Sequence, residues 1–240
     1  MTDKTTATGQ SAGKGTVQTA SDAGTVPSHL TITTQNLSKR FNQEWIFRDL
    51  TYDFQPGKIY VITGPNGSGK STLLQVLWGQ MPPTAGALDY QKNNVSVALE
   101  EVYQHIAIAT PYMDLIDEFT LLEQVKFHFG LKRSRGNISI DEMIERMYLT
   151  GAKNKYLSNF SSGMRQRVKL ALAFYTEADV LFLDEPGTNL DAQAMDWYWK
   201  ELQALPAETC IIMASNQPTE YPTDALKIDI TAFKKRVTNR

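Results

Sequence analysis

The feature that most constrains this chain is the run Ile59-Tyr-Val-Ile-Thr-Gly64-Pro65-Asn66-Gly67-Ser68-Gly69-Lys70-Ser71-Thr72-Leu73-Leu74. It fits G-x-x-x-x-G-K-[ST], with Gly64, Gly69, Lys70 and Ser71 in the required places. Small residues let successive backbone N–H groups converge on one anion. In loops of this pattern the lysine reaches the β- and γ-phosphates and the hydroxyl ligates Mg²⁺. The flanks agree. Ile59 to Thr63 is a short apolar, β-branched run that reads as a buried parallel strand. After Ser71, the residues Leu73, Val76 and Leu77 fall at helical spacing, and Gly79 with Pro82 and Pro83 ends that helix. Strand, glycine loop and helix N-terminus in this order make a site for polyphosphate.

Composition narrows the class. The 240 residues carry 24 Lys and Arg against 26 Asp and Glu, a net charge of −2, so no basic excess marks a nucleic-acid binder and none is expected as a partner. No apolar run approaches the roughly 18 residues that span a bilayer. The N-terminus lacks the apolar core of a signal peptide. Cys210 is the one cysteine and lies in the apolar run Cys210-Ile-Ile-Met213, where a buried strand residue is expected. No disulfide can form within the chain, which fits a reducing cytoplasm.

Residues 1–28, rich in Thr, Ser, Ala and Gly, read as a disordered tail ahead of one domain over 29–240. Leu30 to Leu37 alternates as a half-buried strand, Ser38 to Asn42 reads as a turn, and Trp45 to Phe54 reads as a second strand. Antiparallel strands thus precede a mainly parallel α/β core. Weak strand signals follow around Ala87 and Val95, and a stronger one over Gln104 to Ala109. Two short helix patterns, roughly 120–129 and 139–149, fall within a small helical insert of about 112–162. Ser161 is a good N-cap for an apolar-faced helix to Phe174. Asp179 to Leu183 is an apolar strand ending in Asp184 and Glu185, and ligands in open α/β sheets sit at such carboxyl ends. A helix from Asp191 to about Leu205, a strand from Thr209 to Ala214, and a strand from Leu226 to Phe233 complete the chain before a basic end. On the 191–205 helix, Met195, Tyr198 or Trp199, and Leu202 read as the buried face, with Trp197 pointing elsewhere. His29, His105 and His128 show no metal-site spacing.

The order of these motifs resembles the nucleotide-binding subunits of ATP-binding cassette (ABC) transporters, over about residues 29–237. The resemblance implies a P-loop NTPase fold that binds ATP and Mg²⁺. Gly64 to Thr72 would be its phosphate loop, with Pro65, Asn66, Gly67 and Ser68 in the cradle and Lys70 also serving catalysis. Asp184 would hold Mg²⁺ together with Ser71, and Glu185 would be the general base for the attacking water. Phe41 stands where the family keeps an aromatic that stacks on adenine. Phe160 to Met164 stands where the family has Leu-Ser-Gly-Gly-Gln; its Ser161 and Gly163 would face the ATP of an opposite subunit. Thr188 to Asp191 matches the loop that communicates across the dimer.

This chain departs from the family's pattern at three places. Ser162 and Met164 replace Gly and Gln in the signature. The loop after Ala109 carries Pro111 and Tyr112 where a Mg²⁺-ligating glutamine is expected. Asn216 replaces the switch histidine and can donate a hydrogen bond but carries no charge. ATP binding with slow hydrolysis is therefore expected. The implied protein is a compact, exporter-like ATPase subunit at the inner face of the cytoplasmic membrane. It would pair with a second copy or close paralogue and drive separate transmembrane subunits. The contact would run through Pro111 to Phe119, whose Tyr112, Met113, Leu115 and Ile116 offer apolar groups. Two alternatives are a soluble non-transport ABC ATPase and a slow-turnover nucleotide-binding regulatory subunit.

Overall fold

The computed structural model describes residues 29–234; the expected tail at 1–28 and the basic end beyond Lys234 lie outside the described residues. The chain opens with a β hairpin, β1 (Thr31–Phe41) and β2 (Glu44–Phe54). It then enters the short strand β3 (Ile59–Thr63) and helix α1 (Lys70–Leu77). Strands β4 (Ala85–Lys92) and β5 (Val95–Ser96) follow, then β6 (Ile106–Ala109). Helices α2 (Leu121–Leu131), α3 (Ile140–Arg146) and α4 (Ser162–Phe174) come next. The chain finishes with β7 (Val180–Asp184), α5 (Ala192–Gln203), β8 (Cys210–Ala214) and β9 (Leu226–Asp229).

The strands form two sheets, a four-stranded one ordered β2-β1-β4-β5 and a five-stranded one ordered β6-β7-β8-β3-β9. Every pairing in the first is antiparallel and every pairing in the second is parallel. Successive side chains of a strand point to opposite faces, so the parallel sheet divides the interior into two cores. Ile62, Phe182 and Ile212 face α1 and the antiparallel sheet, packing with Phe47, Leu50 and Phe54. Val61, Leu181, Leu183 and Met213 face the opposite side, with α4, α5 and the insert. A strand covered on both faces needs apolar residues throughout, and β7 and β8 are buried at all five positions. The thiol of Cys210 lies inside β8, and burial pushes its pKa up, which suits a packing role.

Helix α2 begins with a capping box. The Thr120 hydroxyl accepts from the Glu123 N–H at 3.3 Å, and Glu123 accepts from the Thr120 N–H at 2.8 Å. Ser139 caps α3 in the same way, accepting from the Glu142 N–H at 3.2 Å. At the foot of the molecule, ahead of β7, the Asp179 carboxylate gathers three cationic or imidazole groups. Lys92 donates to it at 2.7 Å, and His29 and His105 each lie 3.1 Å from it. The spacing of these histidines along the chain gave no sign that two of them share one carboxylate.

Four elements differ from the sequence expectation. Ser38 to Asn42 is not a turn: β1 continues to Phe41 through a register shift between Thr34 and Leu37, and the turn falls at Asn42 and Gln43. Asn36, at φ 49°, takes up the irregularity, which breaks the period-two pattern that would have shown the strand continuing. β6 begins at Ile106 after a 3₁₀ segment over Leu99–Gln104, and β9 stops at Asp229 before another over Ile230–Phe233. Trp197 is buried against Phe174, their rings 6.1 Å apart, and does not point outward. The buried stripe of α5 is Ala194, Trp197, Tyr198, Glu201 and Leu202, and its one acidic member disguised it.

His128 supplies a test of this packing. Thr176 gives its hydroxyl proton to the Leu172 carbonyl at 2.6 Å, so Nε2 of His128, 2.9 Å from that hydroxyl, is the donor and carries the proton of the neutral ring. Burial first, and Lys132 second, push its pKa down to about 4 from 6.5. A depressed value means that native stability is full above the unfolded pKa and is lost as pH falls toward the folded one. Urea denaturation should show the wild type losing roughly 2 kcal/mol more stability than His128→Gln between about pH 7.5 and about pH 4. Independently, Phe182→Ala, which empties a fully buried site against Trp78, should lower stability by about 3–5 kcal/mol in the same assay.

Candidate functional site

The site is built where three neighbouring strands of the parallel sheet end. Ile62 of β3 pairs with Ala214 of β8, and Ala214 pairs with Asp184 of β7. The segments that follow therefore emerge side by side: the glycine loop from β3, Ser215 and Asn216 from β8, and Glu185 from β7. This is the position at which open α/β sheets bind ligands.

The loop is held in a strained shape that only its glycines allow. Gly64, Gly67 and Gly69 have φ values of 140°, 74° and 105°. A Cβ on Gly69 would run into the Ile46 side chain, so β2 packs directly under the cradle. Lys70 is buried, and its ammonium donates to the Gly64 carbonyl at 2.9 Å and reaches the Pro65 carbonyl at 3.4 Å. The hydroxyl of Ser68 is buried with no hydrogen-bond partner. A lysine folded back on its own loop, above an unsatisfied hydroxyl, is a cradle shaped for an anion.

Asp184 is buried at the end of β7. Burial raises its pKa, and a hydrogen bond with Ser71, the charge of Glu185 and the charge of Lys70 modify it in that order. One of its oxygens, Oδ1, is buried without a partner. A buried carboxylate oxygen left open beside a serine hydroxyl is the donor pair that a hard divalent cation takes. Glu185 has φ 46°, which is unfavourable for a residue with a side chain, and its N–H donates to the Ala214 carbonyl at 2.9 Å. Asn216 bridges to the loop: its Oδ1 accepts from the Gly64 N–H at 3.1 Å, and its Nδ2 donates to Asn66 at 3.2 Å.

The other expected site residues lie apart from this group. Phe41 is 45 % exposed at the end of β1, with the Lys39 ammonium 5.2 Å from its ring. An aromatic that the core does not use is available to stack on a base. Ser161 is exposed and caps α4, accepting from the Met164 N–H at 3.2 Å. Gly163 lies against the Asn189 backbone, where a Cβ would sit 2.7 Å from its carbonyl oxygen. Among the described residues, no hydrogen bond joins Ser161 or Gly163 to the phosphate loop. In the 111–119 loop, Tyr112 is 75 % exposed, but Leu115 is buried in the insert and so is not presented as a contact group.

Three residues near the site escaped the sequence reading. Lys169, in an otherwise apolar stretch of α4, donates to the Pro111 carbonyl at 2.8 Å and so fixes the loop after β6. Gln166 of α4 donates to the Pro186 carbonyl at 3.0 Å. Glu220 is 4 % exposed, accepts from the Gly187 N–H at 3.0 Å and is hydrogen-bonded to Ser215. Burial raises its pKa, and Glu185 and Asp184 add to that. Lys169 could have been noticed as a charge in an apolar run; Glu220 sits in a short irregular turn that carries no periodic signal.

A parallel sheet whose strand ends carry this loop and these carboxylates defines a P-loop nucleotide-binding protein. Residues 47–188 match the model of the ABC transporter family, and the chain belongs to that family. It is 31 % identical over 176 residues to the Nod factor export ATP-binding protein I of Burkholderia lata, covering 72 % of this chain and 58 % of the relative. It is 36 % identical over 182 residues to the sulfate/thiosulfate import ATP-binding protein CysA of Thermosynechococcus vestitus, covering 72 % of this chain and 51 % of that one. The chain thus spans little more than half the length of these relatives. Solved structures agree in fold. A putative ABC transporter ATP-binding protein from Pyrococcus furiosus superposes with a TM-score of 0.70 at 20 % identity, covering 85 % of this chain and all of that one. A bacterial Atm1-family ABC exporter with ATP bound gives 0.68 at 17 % identity, covering 82 % of this chain and 36 % of that one.

The cradle makes a direct prediction. Gly69→Ala places a methyl group against Ile46 at a φ of 105°, so it should abolish nucleotide binding followed by a fluorescent ATP analogue while circular dichroism shows the fold retained.

Proposed function

We propose that this chain is the ATP-binding subunit of an ABC transporter, binding and hydrolysing ATP at an interface shared with a second subunit and driving separate transmembrane subunits. The observation that carries the reading is the convergence of Lys70, Ser71, Asp184, Glu185 and Asn216 at three adjacent strand ends. Lys70 and the loop N–H groups, with Pro65, Asn66, Gly67, Ser68 and Thr72 completing the cradle, bind the phosphates, and Phe41 stacks on the adenine. Ser71 and Asp184 would hold Mg²⁺, which would supply positive charge to offset that of the bound phosphates. Glu185 accepts the proton of the attacking water. Ser161 and Gly163 serve the nucleotide of the opposite subunit, a role supported by the exposure of Ser161 at the start of α4. A domain over 29–240 with a helical insert of about 112–162 fits this division of labour.

Among the described residues no helix is long and apolar enough to cross a membrane. We place the chain at the cytoplasmic face of a membrane through its transmembrane partners, with Tyr112 of the 111–119 loop as the leading contact group. The relatives include both an export and an import protein, so this chain supplies the motor and the cargo is set by the partner.

Turnover is slow in this reading. Asn216 already commits its Oδ1 to Gly64 and one of its two Nδ2 hydrogens to Asn66, so a single N–H is left for the γ-phosphate, and it brings no charge. That same bonding is what favours the second reading, a nucleotide-binding regulatory subunit that hardly turns over. Glu185→Gln should keep ATP binding and lower turnover by at least about 100-fold in steady-state phosphate release. Asn216→His should raise turnover measured with the transmembrane partner; a fast wild type indifferent to this change would overturn the slow reading.

A further inference from the structure

One peptide group, between Pro186 and Gly187, is held at both of its poles. Its carbonyl accepts from Gln166 Nε2 at 3.0 Å, and its N–H donates to Glu220 Oε1 at 3.0 Å. The two side chains come from different elements, one from α4 and one from the turn after β8, and both are buried. This peptide lies one residue beyond Glu185, whose φ of 46° needs outside support to persist. The fit is close: a Cβ on Gly187 would collide with the Glu220 carboxylate, so no other residue leaves that carboxylate in place.

Glu220 is itself fixed. Its other oxygen bonds the Ser215 hydroxyl, and Ser215 accepts from the Gln217 N–H at 2.9 Å. Tyr198 and Trp199 of α5 donate to the carbonyls of Glu220 at 2.8 Å and Thr219 at 3.0 Å. Ser215 and Gln217 flank Asn216, which holds the phosphate loop. Hydrogen bonds therefore run from the helix that Ser161 caps, through the Pro186–Gly187 peptide and Glu220, to Ser215 and Gln217, the chain neighbours of the residue that touches the phosphate loop.

We infer that Glu220 and Gln166 are positioning residues that grip the Pro186–Gly187 peptide and thereby aim the Glu185 carboxylate while keeping Asn216 in register with it. The inference deepens the ATPase reading and rests on it for its kinetic test. A lost grip lets Glu185 relax from its strained φ, so chemistry suffers and nucleotide capture by the loop does not.

The test is made on the full chain with Glu220→Ala, Glu220→Gln and Gln166→Leu. Alanine should lower kcat by about 10- to 100-fold and leave KM for ATP within about twofold. Glutamine keeps an acceptor for Gly187 and a donor for Ser215, and should retain at least about a third of wild-type kcat. Gln166→Leu acts on the other pole and should repeat the alanine result, so it decides the matter should Glu220→Ala fail to fold. Wild-type kcat in Glu220→Ala or Gln166→Leu overturns the inference, as does a glutamine variant as poor as alanine with ATP binding reduced in proportion. Exchange of the Gly187 amide with deuterium, read without nucleotide, should quicken in the alanine variant and not in the glutamine variant. Should the wild type bind ATP without turning it over, the hydrolysis reading fails, and this exchange measurement alone decides the grip: unchanged Gly187 exchange in both variants overturns it.

Discussion

The groups gathered at the strand ends depend on β8 standing between β3 and β7. Parallel strands in register end at one level, and here the backbone pairing puts Ile62, Ala214 and Asp184 in one row. A phosphate loop on one side and a pair of carboxylates on the other are then separated by a single strand, whose own exit places Asn216 between them. A slip of one residue in β8 would exchange its two buried faces and move Asn216 away from Gly64 at once. Apolar residues at all five positions of β8 make such a slip tolerable for burial, so the hydrogen bonds at the strand ends carry much of the register.

The two cores divide the labour. The side shared by α1 and the antiparallel sheet braces the cradle, with Ile46 of β2 packed under Gly69. The side shared by α4, α5 and the insert governs the loops that follow β6 and β7. Lys169 holds Pro111, Gln166 holds Pro186, and Gly163 admits the Asn189 backbone. Helix α4 thus touches both loops through long polar side chains that leave its apolar face intact. Burying a lysine and a glutamine this way is tolerable because each finds a carbonyl at hydrogen-bonding distance.

Much of this was legible before any coordinates. The phosphate loop announced itself because its chemistry is local: residue types and spacing within about ten positions determine it. The parallel strands were legible because burial on both faces demands unbroken apolar runs, as in Val180 to Leu183. What failed was pattern that a local irregularity interrupts. The bulge at Asn36 hid the second half of β1, and Glu201 hid the true face of α5 and with it the burial of Trp197. What was invisible was contact between residues far apart in sequence. Nothing in the turn at Pro218 to Glu220 predicts a carboxylate that reaches Gly187, 33 residues earlier. Asp184 and Glu185 were placed by topology, but the unpaired Oδ1 that suits a cation needed the packed structure to be seen.

The junction at Asp179 has a mechanical meaning. His29 precedes β1 and Lys92 ends β4, while His105 and Asp179 lead into β6 and β7. One carboxylate therefore rivets the antiparallel sheet to the foot of the parallel one, at the end opposite the phosphate loop. The two sheets are thus tied together at the foot by one side chain, while the strand ends that carry the phosphate loop and the carboxylates lie at the far end of the same sheet.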